Sequence, residues 1–202
     1  MLSIVARLAA LPALVLLASC TGPTAETKSP APSPTPSSAA PATAASVKKN
    51  LTAQGFLQKK VGELGGTECQ NSLDTCAIKF TVDKIEVNPT CYEYGTPAAA
   101  GRKTLLLHVS LTTGNLSSNA QGLAPTIFNP FSLKGLSADG FVHDAQPGSC
   151  VDYKGRLSDT ILANSRYTGT VEVDVPESVT SVASAWLTPG PDGSRGWVWN
   201  IG

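Results

Sequence analysis

Charged residues are scarce in this chain. Only 15% of the 202 residues are charged, against a usual quarter, and 15 basic residues balance 15 acidic ones. A chain with zero net charge lacks the electrostatic footprint of a nucleic-acid-binding protein, and it offers no basic cluster to an anionic membrane surface. We therefore expect no nucleic-acid partner.

A second absence marks the amino-terminal part. Residues 21–46 contain no aromatic residue and no Ile, Leu or Val, and Pro, Ala, Ser and Thr dominate them. Nothing in this segment can be buried to offset the entropy of ordering it, so we expect a disordered tether with polyproline character. At about 3.1 Å per residue where it is extended, such a tether holds a domain away from a membrane.

The first 19 residues have the pattern of an export signal. Arg7 is their basic residue, and an apolar core follows over residues 8–17. This core is shorter than the roughly 20 residues that span a bilayer, and the small residues Ala18 and Ser19 suit a signal peptidase. The alternative is an uncleaved anchor over residues 2–18, which would place the charge of Arg7 inside the membrane.

Cys20 follows this signal directly. The sequence Leu17-Ala18-Ser19-Cys20 resembles the lipobox of bacterial lipoproteins. The resemblance implies that Cys20 is the first mature residue and carries a diacylglyceryl group. Two acyl chains such as palmitate anchor a protein stably, whereas one chain holds it only marginally. We therefore expect a lipoprotein on the extracytoplasmic side of the cell membrane; the alternative is a secreted protein without lipid.

Alternating apolar residues predict β-strands in the rest of the chain. Ile78, Phe80 and Val82 alternate with polar residues, and the apolar face resumes at Ile85, which predicts a β-bulge at residues 83–84. Further strands are expected over residues 105–111, 127–133, 140–143, 167–175, 182–187 and 197–201, with a turn at 135–140 and a loop at 188–195. Many short strands without a good helix predict an all-β, antiparallel sandwich.

The predicted organisation has three parts. Residues 1–19 form the lipoprotein signal peptide, residues 20–55 the lipidated cysteine with the disordered tether, and residues 56–202 the sandwich. The sandwich is long enough to bury an adequate core. Glycines are frequent between residues 47 and 66, so we expect an irregular lead-in that joins the domain near Phe56.

Two segments resemble a known family. Val61-Gly62-Glu63 with the strand at 78–85 stands at the start, and the sequence GTVEVDVP at 169–176, followed by a Trp-bearing strand, stands at the end. They are similar to an uncharacterised immunoglobulin-like domain that is common in actinobacterial surface lipoproteins. The resemblance covers about residues 56–202. It implies an immunoglobulin-like β-sandwich, similar in fold to a small secreted mycobacterial antigen, and it implies no activity.

Four cysteines in an exported domain predict two disulfides. They are Cys69, Cys76, Cys91 and Cys150. Three connectivities are possible, and spacing favours Cys69–Cys76, which closes a short polar loop, together with Cys91–Cys150. The alternative is a metal site that combines these thiols with His108 or His143, but no C-x-x-C or H-x-x-x-H spacing supports it. We therefore expect no metal and no cofactor.

No catalytic motif stands out in the sequence. The segment Gly-Leu-Ser-Ala-Asp at 135–139 lacks the second glycine of a nucleophile elbow. Its serine and aspartate, together with His108 or His143, supply the residue types of a Ser-His-Asp set. Glu172 and Asp174 share one face of a strand, which we interpret as its solvent-exposed face. We therefore expect a non-catalytic protein, with a hydrolase as an alternative.

The stretch Cys91-Tyr92-Glu93-Tyr94-Gly95 is the candidate binding surface. It places two tyrosines beside a predicted disulfide, in a loop at one end of the sandwich. Exposed tyrosines are common recognition groups. The alternative is that both rings pack over the disulfide and cover the end of the sandwich.

These features predict a lipid-anchored cell-envelope protein whose sandwich is a non-catalytic binding or structural module. The expected partners are the membrane, through lipid on Cys20, and another envelope protein or a wall component. A different class of function is a small-ligand carrier with a pocket between the two sheets.

Overall fold

The structure, a computed structural model, describes residues 50–186, 190 and 193–202. The predicted signal peptide, the lipid site at Cys20 and residues 21–46 of the predicted tether lie outside these residues. Part of the loop expected at 188–195 lies outside them as well.

Strands in the described residues form two five-stranded sheets. They are β1 (Leu57–Lys59), β2 (Gly65–Thr67), β3 (Ile78–Val87), β4 (Arg102–Thr113), β5 (Leu133–Ser137), β6 (Val142–Asp144), β7 (Gln146–Pro147), β8 (Arg166–Pro176), β9 (Val179–Ala185) and β10 (Gly196–Asn200). One sheet has the order β1-β10-β9-β5-β6, and the other has the order β2-β3-β4-β8-β7. The predicted all-β sandwich is confirmed.

One pair of strands departs from the predicted antiparallel arrangement. β1 runs parallel to β10, with Leu57 opposite Trp197, whereas the other strand pairs in both sheets are antiparallel. A parallel pair needs a long connection, and here almost the whole domain separates the two strands. Apolar and polar residues alternate in the same way in parallel and in antiparallel strands, so the sequence pattern did not predict this parallel pairing.

The predicted bulge in β3 is confirmed. The register of β3 against β4 shifts between Val82 and Lys84, so that Asp83 is the extra residue. Val82 before the bulge is fully buried, and Ile85 after it packs against the same core. The bulge therefore returns both halves of β3 to the interior.

An aromatic cluster fills the space between the sheets. The ring of Phe80 lies 4.6 Å from that of Trp197, 5.1 Å from that of Phe128 and 6.2 Å from that of Trp199, measured between centroids. Gly65 of β2 lies against this cluster, because a Cβ there would be 2.5 Å from the Phe80 ring. The strand closes onto the core only with glycine at this position.

The strand predicted over residues 127–133 is wrong. A one-turn helix at Ala124–Thr126 precedes this region and another at Pro130–Ser132 lies within it, with a turn between them, and β5 begins only at Leu133. The side chain of Asn129 accepts a hydrogen bond from the N–H of Phe131, and Pro130 fixes φ at the first helical position. The turn expected at 135–140 is shorter, since its first three residues belong to β5.

A short helix and the three short strands β1, β2 and β7 were not predicted. The helix α1 (Ser118–Leu123) starts where the Ser117 hydroxyl accepts a hydrogen bond from the N–H of Ala120. β1 and β2 lie in the lead-in that we expected to be irregular. Residues 50–55, which the sequence placed in the tether, fold back on β1, since the N–H of Gln58 donates to the Asn50 carbonyl.

Candidate functional site

Both predicted disulfides are present. Cys69 is bonded to Cys76 and Cys91 to Cys150, with Cα–Cα distances of 3.8 Å and 4.5 Å. Structural disulfides persist in oxidising compartments and are rare in the cytosol. The bonds therefore indicate an extracytoplasmic protein.

The loop that carries the tyrosines is tied to the Cys150 turn. Beside the Cys91–Cys150 disulfide, the N–H of Tyr92 donates to the Cys150 carbonyl at 3.0 Å. The N–H of Thr96 donates to the Ser149 carbonyl at 2.9 Å. A covalent bond and two backbone hydrogen bonds thus hold the loop at one end of β3.

Tyr92 and Tyr94 form the exposed part of this loop, and we name them the tyrosine surface. Tyr94 is 77% exposed and Tyr92 is 41% exposed. Their rings meet edge to face with centroids 6.1 Å apart. Tyr92 packs partly over Gly95, where a Cβ would lie 2.9 Å from its ring. Because Tyr94 is largely in solvent, the arrangement favours a recognition surface over a cover for the disulfide.

Glu172 is buried beneath the Cys150 turn. The sequence had predicted that Glu172 lies on a solvent-exposed face of its strand, so that prediction is wrong. The Glu172 side chain is 1% exposed and accepts hydrogen bonds from the N–H groups of Cys150 and Val151. The Arg156 guanidinium donates to the same carboxylate at 3.3 Å. A buried carboxylate is stable only with such partners. The alternation along β8 gave no sign of it, because the covering turn is distant in sequence.

Ser137, Asp139 and His143 come together at the β5–β6 hairpin. The Ser137 hydroxyl donates to Oδ1 of Asp139 at 2.5 Å, and its oxygen lies 3.3 Å from Nε2 of His143. The hydrogen bond from Ser137 and that from the Phe141 N–H hold the pKa of Asp139 below its usual value. His108, the other histidine weighed for such a set, instead lies 2.6 Å from Glu86.

This order of contacts differs from that of a Ser-His-Asp triad. In a triad the histidine accepts the serine proton and the aspartate orients the histidine. Here the Ser137 hydroxyl donates its hydrogen bond to Asp139, whose lowered pKa makes it a weak base. The N–H of Gly140 also donates to the Ser137 carbonyl across the turn. The contacts are those of a stabilised hairpin turn.

A cleft beside β8 is the candidate for the pocket that a small-ligand carrier would need between the sheets. It has a volume of about 120 Å³ and is lined in part by Phe128, Leu157, Ile161 and Val171. Pockets that hold small ligands usually measure about 300–1,000 Å³. With the aromatic cluster filling the interior, this geometry does not favour a small-ligand carrier.

Within the described ranges, no group of three or more His, Cys, Asp or Glu residues is placed to hold a metal ion. In the same part of the chain, no helix has the length and apolar character needed to cross a membrane.

Comparisons with known proteins find similar folds at low identity. No family model and no curated protein matches the chain. The secreted protein MPT63 of Mycobacterium tuberculosis is similar over 72% of this chain and 97% of its own, with 13% identity and a TM-score of 0.42. A β-sandwich protein from Clostridium difficile is similar over 73% of this chain and 96% of its own, with 13% identity and a TM-score of 0.41.

Proposed function

We propose that this protein is a lipid-anchored, non-catalytic component of the cell envelope that binds another envelope protein through its tyrosine surface. The observation that carries the proposal is the exposure of Tyr92 and Tyr94 on a loop held by a disulfide. The lipid on Cys20, the tether and membership of the actinobacterial lipoprotein family are parts of this proposal.

The sequence supports the anchoring half. An apolar core too short to span a bilayer ends in Leu17-Ala18-Ser19-Cys20. Residues 21–46 that follow are polar and rich in proline. The two disulfides of the folded part fit the oxidising side of the membrane.

The structure supports the binding half. Tyrosine combines a large apolar ring with a polar hydroxyl and loses little conformational entropy on binding. Hydrogen bonds to the Cys150 turn, which Glu172 holds in place, fix the loop. A fixed loop lowers the conformational-entropy cost of binding a partner. The hydrogen bonds of Ser137 are those of a hairpin turn and need no catalytic explanation. They are therefore consistent with a non-catalytic module.

Site-specific photo-cross-linking in the native host tests this function. A photoreactive amino acid in place of Tyr94, in the full chain, should cross-link to one envelope protein that mass spectrometry identifies. The same replacement at Phe141, which is 67% exposed in the turn between β5 and β6 of the other sheet, is the matched control and should not capture that protein. The Tyr92→Ala/Tyr94→Ala variant, paired with Phe141→Ala, should lose the complex in reciprocal purification.

Two outcomes would contradict the proposal. Cross-links to glycan fragments alone would identify a wall component as the partner in place of a protein. Equal cross-linking from Tyr94 and Phe141 would mean that the tyrosine surface has no special role.

A further inference from the structure

A second surface lies at one edge of the sandwich. An open groove of about 1310 Å³ runs between β1 of one sheet and β2 of the other. We name it the edge groove; its walls are β1, β2, the loop 69–76, residues 112–115, Ser117 and Trp186. It adjoins the start of β3, whereas the tyrosine surface follows the end of β3. The ten residues of β3 separate them by roughly 30 Å, so the two surfaces are distinct.

Neutral polar side chains outnumber charged ones in the lining of the edge groove. Most of its polar residues carry an amide or a hydroxyl group, among them Gln58, Gln70 and Asn71. Amides and hydroxyls both donate and accept hydrogen bonds. They match a ligand whose own groups also do both, as the hydroxyls of a sugar do.

Four of the five charged side chains in the groove have hydrogen-bond partners in the chain, and the fifth, Asp74, is an anion. Lys59 donates to Glu63 at 2.8 Å and to the Leu64 carbonyl at 2.9 Å. Lys79 donates to a backbone carbonyl, and Glu68 accepts from Asn119 at 2.9 Å. An anionic polymer needs unpaired cations, and this lining does not offer a surplus of them. The groove therefore suits an uncharged ligand.

The apolar part of the groove includes aromatic rings. Trp186 lines it and meets Trp197 in a T-shaped contact with centroids 4.8 Å apart. Of the large apolar side chains that the structure describes as exposed, Leu73 alone belongs to the lining. Two tryptophan rings among many polar groups suit a sugar, which has apolar C–H faces as well as hydroxyls, better than an apolar protein surface.

The Cys69–Cys76 disulfide holds one wall in place. All residues from 69 to 76 line the groove, and the disulfide closes them into a loop. Inside the loop, the Thr75 hydroxyl accepts from the Asn71 N–H at 3.2 Å and donates to the Ser72 carbonyl at 2.7 Å. Gly66 lets the disulfide pack on β2, because a Cβ there would lie 2.8 Å from the sulfur of Cys76. A wall fixed in this way is preorganised for binding.

We propose that the edge groove binds a neutral glycan chain, with Trp186 as its apolar platform and the amides of Gln58 and Gln70 among its hydrogen-bonding groups. This assigns a role to the Cys69–Cys76 disulfide, which fixes the glycan-facing wall. The inference is independent of the tyrosine surface.

Titration of the full chain with neutral hexasaccharides of glucose, mannose, galactose and N-acetylglucosamine tests the inference. Calorimetry and tryptophan fluorescence, in a detergent without a sugar headgroup, should show saturable binding of at least one of them. The affinity should change little with added salt, because the ligand is uncharged.

Variants connect this binding to the groove. Gln58→Ala/Gln70→Ala removes two exposed amides and should weaken binding roughly tenfold, since two hydrogen-bonding groups are lost. Gln121→Ala removes an exposed amide outside the groove and should leave the affinity unchanged. Cys69→Ala/Cys76→Ala should weaken binding by loosening the wall, with folding checked by circular dichroism.

The inference is overturned if no hexasaccharide binds at millimolar concentration, or if binding is the same in Gln58→Ala/Gln70→Ala and Gln121→Ala. Tyr94→Ala separates this result from the proposed function. It should bind the glycan normally while losing the protein partner.

Discussion

Gly148 and Glu172 are in direct contact. A Cβ on Gly148 would lie 2.6 Å from Oε1 of Glu172 and 2.8 Å from its Cγ. The glycine therefore lets the turn before Cys150 close over a carboxylate that is almost fully buried. This contact links the core of the second sheet to the loop that carries the tyrosine surface.

Gly148→Ala should destabilise the domain. The new methyl group displaces the Glu172 carboxylate from its hydrogen bonds, and overpacking of this kind costs about 1–3 kcal/mol. Urea unfolding followed by fluorescence measures the change. Gly122→Ala is the matched control, because nothing lies within 4 Å of a Cβ at that position in α1. It should stabilise the domain by up to about 1 kcal/mol, and equal effects of the two variants would contradict the contact.

The two disulfides should differ in their contributions to stability. Cys91–Cys150 spans 59 positions and Cys69–Cys76 spans 7. By loop entropy, their removal should lower the free energy of unfolding by about 4 kcal/mol and about 2.5 kcal/mol, respectively. Unfolding of the paired Cys→Ala variants measures both values. A larger loss from removing Cys69–Cys76 would show that loop entropy does not govern their effect.

Glu86 should contribute to stability in a pH-dependent way. Hydrogen bonds from His108 first, and then Lys84, hold its pKa below the usual value of 4.5. A carboxyl group whose pKa is lowered in the folded state stabilises that state above the unfolded pKa, and the effect is lost as the pH falls through the folded pKa. The difference in unfolding free energy between the wild type and Glu86→Gln should therefore be full above about pH 4.5 and shrink below it.

Unfolding in urea at a series of pH values tests this sign. His108→Ala removes the first cause of the lowered pKa and should reduce the pH dependence. A difference between wild type and Glu86→Gln that stays constant across the acid range would contradict the role of Glu86.

Periodicity identified the long central strands. In β3, β4 and β8 one face contacts the core and the other is more polar, so alternation is strong. Even the bulge at Asp83 was visible, because the apolar phase changes there. Such strands are specified by their own residues, since a shift of one position would turn their apolar side chains to solvent.

The short edge strands and the one-turn helices could not be predicted from the alternation of apolar and polar residues. β2 consists of two glycines and a threonine, and its position depends on the Phe80 ring that lies against it. Ile127 and Phe128 are consecutive and both buried, because they lie in a turn between two one-turn helices and both pack into the core, rather than alternating along a strand. The Asn129-Pro130 pair and the capping Ser117 were the local signals for these turns.

The candidate site was predicted in part. The cysteine spacing gave both disulfides, and the stretch 91–95 gave the tyrosines. Glu172 was missed, because its partners Cys150, Val151 and Arg156 come from a turn that the sequence pattern does not place over β8. Side chains that are buried by distant segments cannot be recognised from the alternation of their own strand.

The central claim, a disulfide-bonded domain held to the membrane by lipid on Cys20, is tested most directly by the intact mass of the protein from its native host. We expect a chain that begins at Cys20 and carries diacylglyceryl mass, and that gains about four hydrogens on reduction, two for each disulfide. A mature chain without lipid, or a mass that reduction leaves unchanged, would contradict the account.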